Sequence, residues 1–332
     1  MPNRIVIANR VHSSVVQRLQ AYGDLVLNET GIPLSTDEFR RRCSGASAVM
    51  AFMTERVDEE FLSACPDLKI VAGTLKGYNN FDVDACTRRN ICVTVVPDLL
   101  TEPTAELTVG LIIAILRNFG PGDRHIRSGQ FHGWRPSLYG STLDGAIVGV
   151  LGAGAVGQAT LRMLSGFNCE RIYYDPHRLG EDTEAFLKCR FVDQSSLVRE
   201  ANILVLAVHL MDYNRRLVND DFIGMMKEGA YLINPARGSV VDERAVADAL
   251  GTGRLSGYAA DTFELEDWQL NDRPREVDAR LLASDQTIFT PHIGSGVRSV
   301  REAIEHEAAE NIIDALTGKR PRGLVNPRVW RE

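Results

Sequence analysis

The chain has no CxxC pair. Its six cysteines, Cys43, Cys65, Cys86, Cys92, Cys169 and Cys189, are scattered, and no histidine stands at zinc-finger spacing from them. A disulfide framework or a structural zinc site is therefore not expected, and single thiols suit a reducing cytosol. No apolar run reaches the roughly 20 residues that cross a bilayer, since the most apolar stretch is confined to 107–116. The first residues, MPNRIVIANRVH, turn polar after one short apolar run, unlike a secretory leader. Positive charge is in deficit, with 37 Lys and Arg against 44 Asp and Glu for a net charge of −7. That balance argues against a non-specific nucleic-acid binder or a polybasic membrane-surface protein. What remains is an ordinary globular composition, 44% hydrophobic and 24% charged over 332 residues, long enough for two domains at about 150 residues each. A cytoplasmic protein is expected.

Short apolar runs alternate with helical patterns almost throughout. Strands are expected at 4–9, 48–52, 69–72 and 92–96, with helices at 13–22 and 58–65. A helix over 102–117 is apolar nearly all round, through Leu107, Val109, Leu111, Ile112, Ile113, Ile115 and Leu116, so domains or a partner subunit should bury it. Residues 128–142 read as a loop carrying aromatics among glycines. Further strands are expected at 146–151, 171–175, 202–208, 231–234, 257–261 and 287–290, then a helix at 298–317 with Val300, Ile304, Ala308, Ile312 and Leu316 on one stripe. This order predicts an α/β protein with parallel sheets, helices on both faces, and a last helix returning to the first domain.

The strand AIVGVL runs into Gly152-Ala153-Gly154-Ala155-Val156-Gly157 and then a helical pattern. GxGxxG between strand and helix is a dinucleotide fingerprint: the first glycine permits the turn, the second lets backbone approach pyrophosphate, and the third permits close helix–strand packing. Phosphates then meet free N–H groups at a helix N-terminus. Eighteen residues past Gly157 the next strand ends in Asp175, an acid that accepts ribose hydroxyls and repels a 2′-phosphate, so NAD is expected over NADP. Arg178, just beyond, could soften that choice and leaves NADP as a weaker alternative.

Three later strand ends carry chemistry: Asn234-Pro235-Ala236-Arg237-Gly238, Ala260-Asp261-Thr262-Phe263-Glu264-Leu265-Glu266, and Thr290-Pro291-His292-Ile293-Gly294-Ser295. An arginine there offers a two-pronged donor to an oxyanion. A histidine beside a carboxylate can exchange a proton near neutral pH. Read singly, each is also a surface arginine, acids on a solvated loop, or a histidine satisfied by backbone.

Together with the GxGxxG–Asp pair, the stretches NPARGSVVDERAVADAL, GYAADTFELE and TPHIGS resemble the D-isomer-specific 2-hydroxyacid dehydrogenase superfamily. The segments at 50–53, 75–87, 96–107, 127–141, 257–268 and 290–301 are similar to the phosphite (phosphonate) dehydrogenases within it. The resemblance implies a Rossmann-type doubly wound NAD-binding domain at 99–297 and a smaller flavodoxin-like substrate domain from 1–98 and 298–332. It implies oxidation of phosphite to phosphate, with a D-2-hydroxyacid dehydrogenase or glyoxylate-type reductase as the alternative. Arg237, Glu266 and His292 would be the catalytic set, with Glu264 the alternative acid. Lys76, Arg237 and Arg301 would bind the oxyanion, with Met53, Trp134, Tyr139 and Ser295 around it. Cofactor contacts would come from Gly152, Gly154, Ala155, Val156, Gly157, Asp175, Val208, His209, Pro235, Ala236, Arg237, Asp261, His292 and Gly294. The same resemblance, with helix 102–117, implies a homodimer. No metal is expected.

Overall fold

Runs of fully buried aliphatic residues, too short for helices, become the inner strands of two parallel sheets covered on both faces. The computed structural model describes residues 2–267 and 269–330. These divide into two units, the first holding the described residues within Met1–Leu100, Trp268–Asn271 and Gly296–Glu332, the second those within Thr101–Asp267 and Asp272–Ser295.

In the first unit, β1 (Arg4–Ile7), β2 (Asp24–Leu27), β3 (Ala48–Ala51), β4 (Ile70–Gly73) and β5 (Cys92–Thr94) pair in parallel in the order β2-β1-β3-β4-β5. One face packs Ile5, Ile7, Met50, Ile70 and Ala72 against Ile304, Ala308 and Ile312 of the helix Arg298–Leu316. This is the expected stripe, with Val300 and Leu316 half-buried at its ends. The other face packs Val49, Val71 and Val93 against Phe39, Phe61 and Leu62. Elements outside the expectation include the edge strand β2, only half-buried, the short helix Val83–Arg88, and the helix Thr36–Cys43, which buries only Phe39 and Cys43 and starts at Ser35, whose hydroxyl accepts the Glu38 N–H at 3.3 Å.

In the second unit, β6 (Ile147–Leu151), β7 (Glu170–Tyr174), β8 (Arg190–Phe191), β9 (Ile203–Leu206), β10 (Ala230–Asn234), β11 (Leu255–Ala260) and β12 (Thr287–Phe289) are all parallel, in the order β12-β11-β10-β9-β6-β7-β8. The order reverses between β6 and β9, and a doubly wound sheet takes its ligand outside the carboxyl ends of its strands at such a point. The helix Thr101–Leu116 is buried on one face, through Leu111, Ile112, Ile115 and Leu116, while Leu107, Val109 and Ile113 are half-buried. It approaches β11 so closely that a Cβ on Gly257 would lie 2.8 Å from Ile115 Cγ1. Residues 128–142 form no helix or strand. Among the described residues, no helix is long and apolar enough to cross a membrane.

Candidate cofactor and catalytic site

β6 runs into the glycine turn, and the helix Ala155–Met163 begins directly after Gly154. Two of the three glycines are required by the polypeptide itself. Gly152 has φ +101°, and a Cβ there would fall 2.5 Å from the Ala207 carbonyl oxygen; a Cβ on Gly157 would fall 2.1 Å from the Gly152 oxygen. Gly154 is different, being exposed, with φ −68°, and a Cβ there would meet nothing within 4 Å. The chain's own packing gives no reason for glycine at 154, whereas a pyrophosphate lying against the backbone does. Asp175, at the end of β7, accepts the Ala153 N–H at 2.8 Å on one oxygen and the His177 N–H at 2.9 Å on the other. Each oxygen keeps capacity for a ribose hydroxyl. The turn and its acid thus fit an NAD adenosine and pyrophosphate, with Val208 beside Gly152 and exposed His209 further along the same strand end. Arg178, just beyond this acid, forms a two-pronged pair with Glu184 at 2.9 and 2.8 Å.

The three later strand ends converge. His292 Nδ1 lies 2.5 Å from Glu266 Oε2, and the other carboxylate oxygen of Glu266 accepts the Phe263 N–H at 2.8 Å. A carboxylate only accepts, so Nδ1 carries the hydrogen and Nε2 is left as the base. Glu264, two residues away, is turned elsewhere: it accepts from Arg216 at 2.9 Å and from the Glu243 N–H at 3.1 Å, while its own N–H donates to Glu243 at 2.8 Å. Geometry therefore separates the two acids, and Glu266 faces the histidine. Burial pushes the Glu243 carboxyl up to about 7.

The histidine is held in an unusual backbone. His292 has φ +52°, in the left-handed region that non-glycine residues rarely enter. Asp261 keeps it there: one oxygen accepts the Thr290 hydroxyl at 2.6 Å and the Ile293 N–H at 2.8 Å, the other the Gly294 N–H at 2.8 Å, and its main-chain carbonyl accepts the His292 N–H at 2.8 Å. Burial raises the Asp261 carboxyl, while these donors and His292 pull it down. Both oxygens are thus occupied from within the protein, and Asp261 organises the histidine loop besides any cofactor contact. Thr290 and Asp261 both stand in the strand-end motifs, but no motif marked this role for either.

Arg237 follows β10, where Asn234 closes the turn by accepting the Ala236 N–H at 3.1 Å and donating to the Arg237 carbonyl at 3.0 Å. Pro235 is buried and Ala236 half-buried in this turn. Gly238 lies so close to the Phe263–Glu264 peptide that a Cβ would come within 1.8 Å, and the Ser239 N–H donates to Asp267 at 2.8 Å. These contacts seat the arginine turn on the Glu266 turn. Burial lowers the Arg237 guanidinium's hold on its proton, opposed by Asp267 and then Glu266. Asp267, outside the expected set, is a buried counter-charge that only the fold reveals.

In the first unit, Lys76 follows β4 and is half-buried; desolvation lowers its proton affinity, opposed by Asp98. Arg301, in the first turn of the helix Arg298–Leu316, is also half-buried and lowered by desolvation, opposed by Glu305, and reaches the Thr74 carbonyl at 3.4 Å. Met53 is half-buried on the core behind β3. In the second unit Ser295 closes the histidine loop half-buried, whereas Trp134 and Tyr139 are 76% and 75% exposed. Among the described residues, no cluster of three or more His, Cys, Asp or Glu could hold a metal ion.

Residues 109–294 match the D-isomer specific 2-hydroxyacid dehydrogenase NAD binding domain. A glyoxylate reductase of Thermofilum pendens is 35% identical over 311 residues, 93% of this chain and 90% of its own. A protein of Polaromonas sp. JS6 66, described as a D-isomer specific 2-hydroxyacid dehydrogenase, superposes with a TM-score of 0.88 at 26% identity, covering 98% of this chain and all of its own. An NADPH-dependent glyoxylate/hydroxypyruvate reductase of Sinorhizobium meliloti, solved with NADP and malonate, gives 0.84 at 25% identity over 100% of this chain and 99% of its own. The glycine turn, its acid and the converged strand ends belong to an NAD-binding oxidoreductase domain, and the chain belongs to the D-isomer specific 2-hydroxyacid dehydrogenase family.

Proposed function

We propose that this enzyme oxidises phosphite to phosphate with reduction of NAD. The observation that carries the reading is the pair of half-buried cations Lys76 and Arg301, additional to Arg237. A 2-hydroxy acid has one carboxylate, which an arginine and main-chain N–H groups satisfy. Phosphite carries between one and two negative charges near neutral pH on three strong acceptor oxygens, and taking it out of water calls for further cations.

In this reading Arg237, Lys76 and Arg301 hold the oxygens, and Met53, Trp134, Tyr139 and Ser295 adjoin the substrate. When bound, NAD supplies the acceptor for the hydride of the P–H bond. His292 Nε2, with Nδ1 fixed by Glu266, takes the proton of a water whose oxygen forms the new P–O bond. The P–H bond breaks with its electron pair, so one phosphite, one water and one NAD give phosphate, NADH and a proton. Proton transfer and fixed orientation are the terms these residues contribute. A homodimer joins the proposal, supported by exposed Phe119, Ile126, Phe131 and Trp134; a monomer by sedimentation at micromolar protein removes it.

A second reading is favoured by the relatives: with a glyoxylate reductase 35% identical over 93% of the chain, Arg237 would bind a carboxylate and His292 would protonate a carbonyl oxygen. Following NADH by its absorbance, with phosphite, D-lactate or D-glycerate as reductant and with glyoxylate as oxidant, decides between the two. NADH formation on phosphite alone supports the first; turnover of the organic acids with none on phosphite replaces it with the second.

A further inference from the structure

Beyond Asp175 the chain continues Pro176-His177-Arg178, and a cation in this loop is the kind of group that receives an adenosine 2′-phosphate. In the fold Arg178 is committed elsewhere. Its Nε donates to Glu184 Oε1 at 2.9 Å and its Nη2 to Oε2 at 2.8 Å, across the turn into the helix Glu181–Leu187. The guanidinium lies over the ring of Phe191 on β8, 5.5 Å from its centre. Glu184 is in turn tied to the strand: Oε1 accepts the Tyr173 hydroxyl at 2.6 Å, and that hydroxyl accepts the Leu179 N–H at 2.9 Å. The Glu184 side chain is 12% exposed against 57% for Arg178, so the acid is the anchor and the arginine the part able to swing. Turning Arg178 toward a phosphate would break a charge-assisted fork and leave a largely buried carboxylate with the tyrosine alone.

We propose that Glu184 is a positioning residue for cofactor selection: by holding Arg178 against Phe191 it withholds the loop's cation from a 2′-phosphate. Preference for NAD then rests on two carboxylates, Asp175 by direct acceptance and repulsion, and Glu184 through Arg178. Arg178 first, and Tyr173 second, hold the Glu184 carboxyl down at about 2, so the clamp stays charged at neutral pH. The inference rests on the dinucleotide reading of the glycine turn.

Fluorescence titration of the full chain with NADH and with NADPH tests it without any substrate. Glu184→Gln keeps an acceptor for Tyr173 and removes the charge that holds Arg178. It should tighten NADPH about tenfold, or about 1.4 kcal/mol, leave NADH within about twofold, and make the NADPH gain fall with added salt. The gain should vanish in Glu184→Gln with Arg178→Gln, and Tyr173→Phe, which leaves the fork, should not change the NADPH-to-NADH ratio. Equal shifts for both nucleotides, no shift for NADPH, or a gain that survives loss of Arg178 overturns the role of Glu184. A parent chain that binds neither nucleotide overturns the dinucleotide reading beneath it, and the role with it.

Discussion

The carboxyl ends of the two sheets are organised in opposite ways. Behind the second sheet every reactive group is bound by short hydrogen bonds: Asp261 takes three donors on its carboxylate, Glu266 takes His292 and Phe263, and Gly238 and Ser239 clip the Arg237 turn onto the Glu266 turn. Behind the first sheet the tight network belongs to the frame. Buried Glu55 accepts from the Phe52 N–H at 2.6 Å, Asn9 at 2.9 Å and Thr54 at 2.6 Å, and Asn80 donates to the carbonyls of Phe52 and Glu55. The two cations stand on long, half-buried stems, and Arg301 reaches the Thr74 carbonyl at 3.4 Å. Under the proposed function, proton transfer demands fixed geometry and would use the left-handed histidine whose loop a buried acid holds, whereas anion selection would need charge more than angle.

If that division is right, substitutions in the second unit strike turnover and those in the first strike affinity. His292→Ala should lower kcat about a thousandfold with a smaller change in KM; unchanged kcat on the accepted substrate would refute the base. Lys76→Ala and Arg301→Ala should each cost about 2 kcal/mol, about 30-fold in the KM for phosphite, with kcat less affected. If KM on phosphite is unmoved by both, the charge argument for an inorganic substrate fails.

The buried Glu243–Glu264 pair sharpens the contrast through stability. Glu243 has a folded-state value near 7 against an ordinary 4.5. The native state therefore holds a proton that the unfolded chain releases, so this stabilisation is present below about pH 4.5 and is lost as pH rises through about 7. Glu243→Gln, which keeps an acceptor for the Glu264 N–H, should flatten the fall of Tm between about pH 5 and 7, by about 2 kcal/mol at most. Parallel Tm curves for parent and variant would show that the group is not protonated in the fold. The smallest effect is expected at the glycine turn: Gly154→Ala should weaken NADH binding about tenfold while leaving Tm unchanged. Unchanged binding would mean that no ligand approaches there.

Much of the frame could be read along the chain because buried parallel strands are uninterrupted apolar runs. AVMA and ILVL are strands β3 and β9, and the Ile304–Ala308–Ile312 stripe marks the returning helix. Edge elements escaped for the converse reason: DLVL is only half-buried, RF is two residues long, and TDEFRRRC carries just two buried residues. The all-round apolar helix Thr101–Leu116 is covered on one face within the chain; composition registers how apolar a helix is and not what covers each face.

Local sequence also determined the chemistry available: a strand–glycine turn–helix for pyrophosphate, an acid eighteen residues on, and an arginine, two acids and a histidine at later strand ends. These are short-range patterns, since a turn, a helix terminus and a strand end are each specified within a few residues. Only the tertiary structure decided which acid meets the histidine, that Asp261 holds His292 at positive φ, that Asp267 is a counter-charge to Arg237, and that Arg178 is bound to Glu184. Glu264 and Glu266 carry the same carboxylate two positions apart, and what separates them is the direction each side chain leaves its turn. That direction is set by residues more than twenty positions away, Glu243 for one and His292 for the other, and no spacing along a chain encodes it.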